Sequence, residues 1–202
     1  MFSKMSKVTV VLTVLITALS TASCVTETVE SPGSMKFSQA SVIAVQDPNA
    51  HIKRGSTFAW LPEAVQFYED KRLEGAPVKS LIEQEIVRNL KAQEMQLVES
   101  ANGSSYSIAY TAALESAMDD AAIIRRFGLV PGNSQIPTDD VNVEKGTLII
   151  YVFNNRTHDV IWRSASQVGV SFNMAEQDRK ERVEQVLGEM FMTFPVDKSA
   201  EQ

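Results

Sequence analysis

The stretch GTLIIYVFNNRTHDVIWRSASQVGV, residues 146–170, constrains the fold more than any other part of the chain. Two runs rich in β-branched and aromatic residues flank the polar turn NNRTHD, which is the pattern of a β-hairpin. The first run, Thr147 to Phe153, is apolar on both of its alternating faces. Such a strand needs cover on both sides, at least in part, and belongs in the middle of a sheet. The second run, Val160 to Val168, returns along it.

The rest of the chain must supply further strands and the cover. ASVIAVQ, Ala40 to Gln46, reads as a strand stopped by DPNA, and STFAWLP, Ser56 to Pro62, as a short strand stopped by its proline. In GAPVKSLIEQEIVRNLKAQEM the apolar residues Val78, Leu81, Ile82, Ile86 and Leu90 recur at steps of three and four, which predicts a helix. Pro77 suits its first turn, and Ser80 with Glu83 has the spacing of a capping box starting slightly later. SYSIAYTAAL is a strand. LESAMDDAAIIRRFG predicts a helix over 114–127 with Gly128 as its C-cap and Arg125 and Arg126 in the last turn, where the helix dipole favours cations. A loop with two prolines, 130–146, leads to the hairpin. In the final segment Val183, Val186, Leu187, Met190, Phe191 and Phe194 form one helical stripe, Asn173 and Glu176 have cap spacing, and Pro195 follows the end.

The expected order is β-β-α-β-α-β-β-α. It implies an α+β fold, a small mixed or antiparallel sheet with helices packed on one face. About 165 residues make one domain, placed over 37–197 with a short tail, 198–202.

The N-terminus carries a different pattern. Lys4 and Lys7 precede VTVVLTVLITALS, thirteen uncharged apolar or small residues from Val8 to Ser20. A membrane-spanning helix needs about 20 apolar residues, whereas this length, with a positive flank and small residues behind it, fits a signal peptide over 1–23. The stretch closes on LSTASC, and Cys24 is the sole cysteine of the 202 residues. This resembles the lipobox of bacterial lipoproteins, in which the thiol is lipidated, carries acyl chains such as palmitate, and becomes the mature N-terminus. Ala22 and Ser23 fit that pattern, while Thr21 stands where a bulky aliphatic is usual. Val25, rather than Asp, follows the cysteine, which by resemblance to enteric-type sorting favours the outer membrane. The polar segment 24–36, with its Pro-Gly break, reads as a flexible tether. One cysteine allows no disulfide, so the domain relies on its core.

The net charge of −6 becomes more negative once the two lysines of the leader are removed. A chain of that balance is not built to coat nucleic acid or anionic headgroups.

At STFAWLP, and again at EKGTLIIYVFNNRTHDVIWRSASQV, the chain resembles a family of uncharacterised bacterial lipoproteins, domain of unknown function 4136. The shared order is a lipobox cysteine, a TFAW strand leading into a helix, a strand, a GTL strand hairpinned to one bearing W-R, and a terminal helix. RRFGLVPG, residues 125–132, resembles a recurring segment of one branch. The resemblance spans roughly 42–194. It departs at the hairpin turn, where the family often carries D-x-x-T-G and Asn154 and His158 stand here. It implies fold and location, and no known reaction.

Chemistry-bearing constellations are sparse. His51 and His158 are far apart on turns, and with Cys24 committed to lipid no zinc set remains. Asp119 and Asp120 are adjacent in a predicted helix and do not share a face. Asp139, Asp140 and Glu144 lack the alternating oxygens and glycine turn of a calcium loop. Trp60 and Trp162, on strands, are read as core packing rather than a stacking platform, with Arg163 turned to the opposite face from Trp162. No nucleophile elbow, phosphate loop or dinucleotide fingerprint is present.

The expectation is therefore a non-enzymatic, outer-membrane-anchored periplasmic lipoprotein, a binding or envelope-assembly module. Its membrane attachment is the lipid on Cys24, its partner another envelope protein, and it has no cofactor. Contacts are expected at the hairpin turn, Arg156 and His158, and on the polar face of the last helix, Arg179 and Glu184. The alternatives are a secreted or lipid-anchored hydrolase built from scattered carboxylates, and a soluble periplasmic protein with a free Cys24.

Overall fold

The hairpin is the centre of the molecule. In the computed structural model, which describes residues 40–133, 135–136 and 139–197, its strands are β6 (Val143–Asn154) and β7 (Val160–Ser171). Both are longer than the apolar runs alone suggest, because Val143 to Gly146 pairs with Val168 to Ser171. β1 (Ser41–Gln46) adds antiparallel to the outer side of β7, with Ser41 opposite Gln167 and Gln46 opposite Trp162. β5 (Tyr106–Leu114) adds antiparallel to β6.

On the far side of β5 the sheet turns parallel. β2 (Thr57–Trp60) and β3 (Gln66–Phe67) occupy successive stretches of the same β5 flank, interrupted at Pro62, and β4 (Gln96–Leu97) extends β2. The order is β1-β7-β6-β5-β2-β4. The sheet is mixed because β2 reaches β5 through a helical crossover, α1 (Val78–Ala92), and a crossover brings strands in parallel.

Alternation along the strands divides the molecule into two apolar layers. On one face, Ile108 and Tyr110 of β5, Ile150 and Val152 of β6 and Trp162 of β7 meet Ile82, Ile86 and Leu90 of α1 and Val186, Leu187, Met190 and Phe191 of α3 (Glu176–Phe191). On the other, Ala113, Ile149 and Ala165 meet Ile123 of α2 (Asp120–Phe127). The α+β class and the order of the principal elements hold. Packing on one face describes α1 and α3, while the short α2 covers part of the opposite face.

Three local expectations are corrected. The helix predicted over 114–127 is only α2, because Leu114 stays in β5 opposite Gly146 and the Glu115 N–H donates to the Lys145 carbonyl at 2.8 Å. Asp119, expected mid-helix, is the N-cap and accepts from the Ala122 N–H at 2.7 Å. Gly128 ends the helix in the left-handed region, as its position after the stripe suggests. The third concerns the other caps. α3 starts after Ala175 without a side-chain cap, and Asn173 instead donates to Asn142 Oδ1 at 3.0 Å. Ser80 donates to the Pro77 carbonyl rather than opening a capping box.

Candidate functional site

A cavity of about 120 Å³ lies at one end of the α1–α3 face, above the start of β6 and the ends of β5 and β7. Its walls are almost wholly apolar: Phe67, Val78, Leu148, Val168, Val183 and Val186 contribute side chains from five different elements. Phe67, Val78, Val168 and Val183 each keep part of their surface exposed, so the cavity reaches solvent. Polar residues also border it, and three of them, Ser166, Arg179 and Arg182, carry buried polar atoms. Ser166 is 1% exposed, and its Oγ has no hydrogen-bond partner. Arg179 is 7% exposed and donates from Nη2 to the Met174 carbonyl at 3.2 Å. Arg182 has Nε and Nη2 buried without a partner. Burial pushes both guanidinium groups below their ordinary pKa, offset at Arg182 in part by the charge of Glu189. Among the described residues neither arginine forms an ion pair.

The opposite face carries a polar network whose charges are paired, although Gln167 Oε1 is buried without a partner. Lys145 Nζ lies 2.8 Å from both Glu115 Oε1 and Asp120 Oδ2. Gln167 Nε2 donates to Asp120 Oδ1 at 2.7 Å and to Thr147 Oγ1 at 3.2 Å. Burial alone would raise the Asp120 pKa, but the bonds from Lys145 and Gln167 outweigh it and hold the carboxyl below its usual range. Arg72 bridges Asp70 and Glu144, at 2.8 and 2.6 Å. Every charged group here has its counterpart, so the arrangement positions α2 and the loops around it.

The residues singled out in the sequence do not converge. His51 and His158 are exposed on separate turns. Asp119 is a cap, and Asp120 belongs to the Lys145 network. Asp140 Oδ1 accepts from the Asn142 N–H, while Glu144 faces Arg72 and the Ser116 N–H. Among the described residues no three His, Cys, Asp or Glu side chains lie close enough to share a metal ion. Trp162 is fully buried against Phe191 and Phe194, and Trp60 packs edge-on to Tyr110 at 6.1 Å. Arg163 points away from Trp162 and donates to the Phe127 carbonyl at 2.9 Å. Arg179, expected on the polar face of α3, is buried at the cavity. Cys24 and the tether lie outside the described residues.

The departing hairpin turn has a structural meaning. Asn154 Oδ1 accepts from the Arg156 N–H at 2.9 Å, a service an aspartate performs equally well. His158 sits at φ 64°, a conformation that glycine adopts freely. The acidic and glycine positions of this turn therefore shape the backbone.

Arg182 was not singled out in the sequence, and Arg179 was expected on the solvent-facing side of the helix rather than at a cavity. The signal was present: continuing the Val183, Val186 stripe back by one turn reaches Arg179 and Arg182. Charge at those positions reads as a helix start facing solvent unless the neighbouring walls are known.

The model of one protein family, domain of unknown function 4136, matches residues 42–196. The chain belongs to this family. Its span opens in β1 and closes just past α3, so it contains the whole sheet and the cavity. Among solved structures, the chain is similar to a DUF4136 family protein from Bacteroides thetaiotaomicron, with 15% identity over 76% of this chain and 95% of that one, at a TM-score of 0.47. It is similar to the PelC dodecamer from Paraburkholderia phytofirmans, with 11% identity over 75% and 98% of the two chains, at 0.42. It is also similar to the lipoprotein GNA1162 from Neisseria meningitidis, with 6% identity over 68% and 99%, at 0.38. No curated protein matches the sequence. Among the described residues no helix is long and apolar enough to cross a membrane.

Proposed function

We propose that the protein is a lipoprotein of the outer membrane, anchored through acyl chains on Cys24, whose domain faces the periplasm and works by binding an envelope protein rather than by catalysis. The anchoring rests on LSTASC behind its apolar core, and on a family domain that begins only at residue 42. The observation that carries the binding reading is the outer edge of β1. Among the described residues no strand pairs there. Ile43 and Val45, on one face of that strand, are 38% and 43% exposed. An open edge with apolar side chains beside it is suited to adding an extended segment from a partner, with backbone hydrogen bonds for affinity and side-chain contacts for choice.

Two measurements test this. The intact mass of membrane-extracted protein is expected to show loss of residues 1–23 and a gain of acyl mass; a retained leader or a bare Cys24 overturns the anchoring. Photo-crosslinkers at Val45 in intact envelopes are expected to trap one defined protein, and Ile43→Lys to abolish that product while leaving a crosslinker at Arg156 unaffected. Monomer alone at Val45, or a product indifferent to Ile43→Lys, overturns the binding mode.

A further inference from the structure

Arg182 is the least satisfied group in the described molecule. A guanidinium offers five N–H donors in a rigid fork, and here Nε and Nη2 are buried with nothing to receive them. Leaving such donors unmet is costly, more so for a charged group than for a neutral one. A folded chain tolerates that cost where a ligand removes it. Arg179, one helical turn earlier on the same side of α3 and itself buried, brings a second cation to the same cavity. Ser166 Oγ, buried and unpartnered in the β7 wall, adds a hydroxyl.

The remaining lining sets the other half of the ligand. Phe67, Leu148, Val168 and Val183 offer no polar atom to a bound molecule, so its body must be apolar. The volume, about 120 Å³, sets its size: cavities of about 150 Å³ accept benzene, so about six carbons fit. Charge complementarity sets the head. Glu189 acts on Arg182 through its charge alone, and with no ion pair to either arginine among the described residues the two cations call for an anion. A flat carboxylate matches the guanidinium fork with two parallel bonds and brings a single charge to be desolvated.

We propose that this cavity is a binding site for a fatty acid, its carboxylate received by Arg182 and Arg179 and about six carbons of its chain held among the apolar walls. The site is separate from the β1 edge, and its occupancy does not depend on a partner adding there.

The test uses full-length protein in isolated membranes and octanoate carrying a terminal diazirine, with the matching octanol probe as the uncharged control. After photolysis, label is expected on the peptides holding Val168 and Val183. Excess octanoate is expected to displace it about tenfold better than octanol, as a charged hydrogen bond of at least 1.4 kcal/mol requires. R182M is expected to lower labelling by the carboxylate probe about tenfold and to leave labelling by the alcohol probe unchanged. Equal labelling of the wild type by the two probes overturns the proposal, as does label mapping outside the cavity, or R182M behaving as wild type. Displacement by inorganic phosphate as effective as by octanoate marks an anion site without an apolar pocket and also overturns it. Should R182M lose both labels through misfolding, the wild-type comparison of octanoate with octanol decides the matter alone.

Discussion

The indole Nε1 of Trp162 donates to the backbone carbonyl of Thr193 at 3.1 Å, tying β7 to the chain just beyond α3. Around that bond the ring packs on Phe191 and Phe194, at centroid distances of 5.5 and 5.2 Å. Trp162→Ala is expected to destabilise the domain by about 3–5 kcal/mol, the usual cost of emptying a buried aromatic site. Trp162→Phe keeps most of the packing and loses the bond, and should cost about 1–2 kcal/mol. Denaturant unfolding at fixed pH measures both. A loss below 1 kcal/mol for the alanine variant would contradict the structural role of this tryptophan.

His158 holds a left-handed backbone at φ 64° in the β6–β7 turn. A side chain in that region costs about 1–2 kcal/mol, and glycine avoids the cost while loosening the unfolded chain. His158→Gly is expected to raise stability by about 0.5–1 kcal/mol, seen as a higher thermal midpoint. Destabilisation on substitution would show that the imidazole makes a contribution the turn geometry does not account for.

Gly146 lies where β6 passes β7 at the cavity wall. A Cβ built there would stand 2.6 Å from Val170 Cγ2. Valine is stiff at χ1 and cannot swing aside freely. Gly146→Ala should cost about 1–3 kcal/mol through overpacking. Val170→Ala in the same chain should recover most of that loss, so the two substitutions will be strongly non-additive in a double-mutant cycle.

Asp70 accepts both Nε and Nη2 of Arg72, each at 2.8 Å, together with the Arg72 backbone N–H at 2.8 Å. The side-chain bonds from Arg72, then the backbone bond, hold its carboxyl at about 2, below its ordinary 3.8. A depressed carboxyl pKa stabilises the fold above the unfolded value and loses that contribution as pH falls through the folded one. Asp70 should therefore add to acid sensitivity between about pH 4 and pH 2. Its side chain is 22% exposed, and its partner 42%, so solvent screening keeps the contribution modest. Carboxyl-detected NMR should find Asp70 titrating near 2, and Arg72→Met should return it part of the way to the ordinary range, since the backbone N–H of residue 72 still donates to it. A normal titration in the wild type would refute the pairing.

How far the fold and the site could be read from the chain depends on the range of the interactions involved. The hairpin, the stripe of α3, the glycine C-cap of α2 and the stop at Pro62 were legible because each depends on residues within a few positions of one another. The helix over 114–127 was misjudged for the opposite reason. Its first half has acceptable helix formers, yet Leu114 is held in β5 by Gly146 and the Glu115 N–H by the Lys145 carbonyl, some thirty residues away. The cavity was not legible at all. Arg179 and Arg182 read as charge on a solvated helix turn, and nothing in their neighbours discloses that Phe67, Val78 and Val168 close around them.

The sequence by itself determined the periodicities, the turns, and the caps that glycine and proline enforce. These follow from backbone sterics and from side chains adjacent along the chain. Only the tertiary structure decided that α2 covers the face opposite α1 and α3, that β1 closes the sheet as an edge, and that two arginines end in an apolar wall. Burial is set by what arrives from distant segments, and the cost of an unmet guanidinium exists only once those segments have excluded water from it.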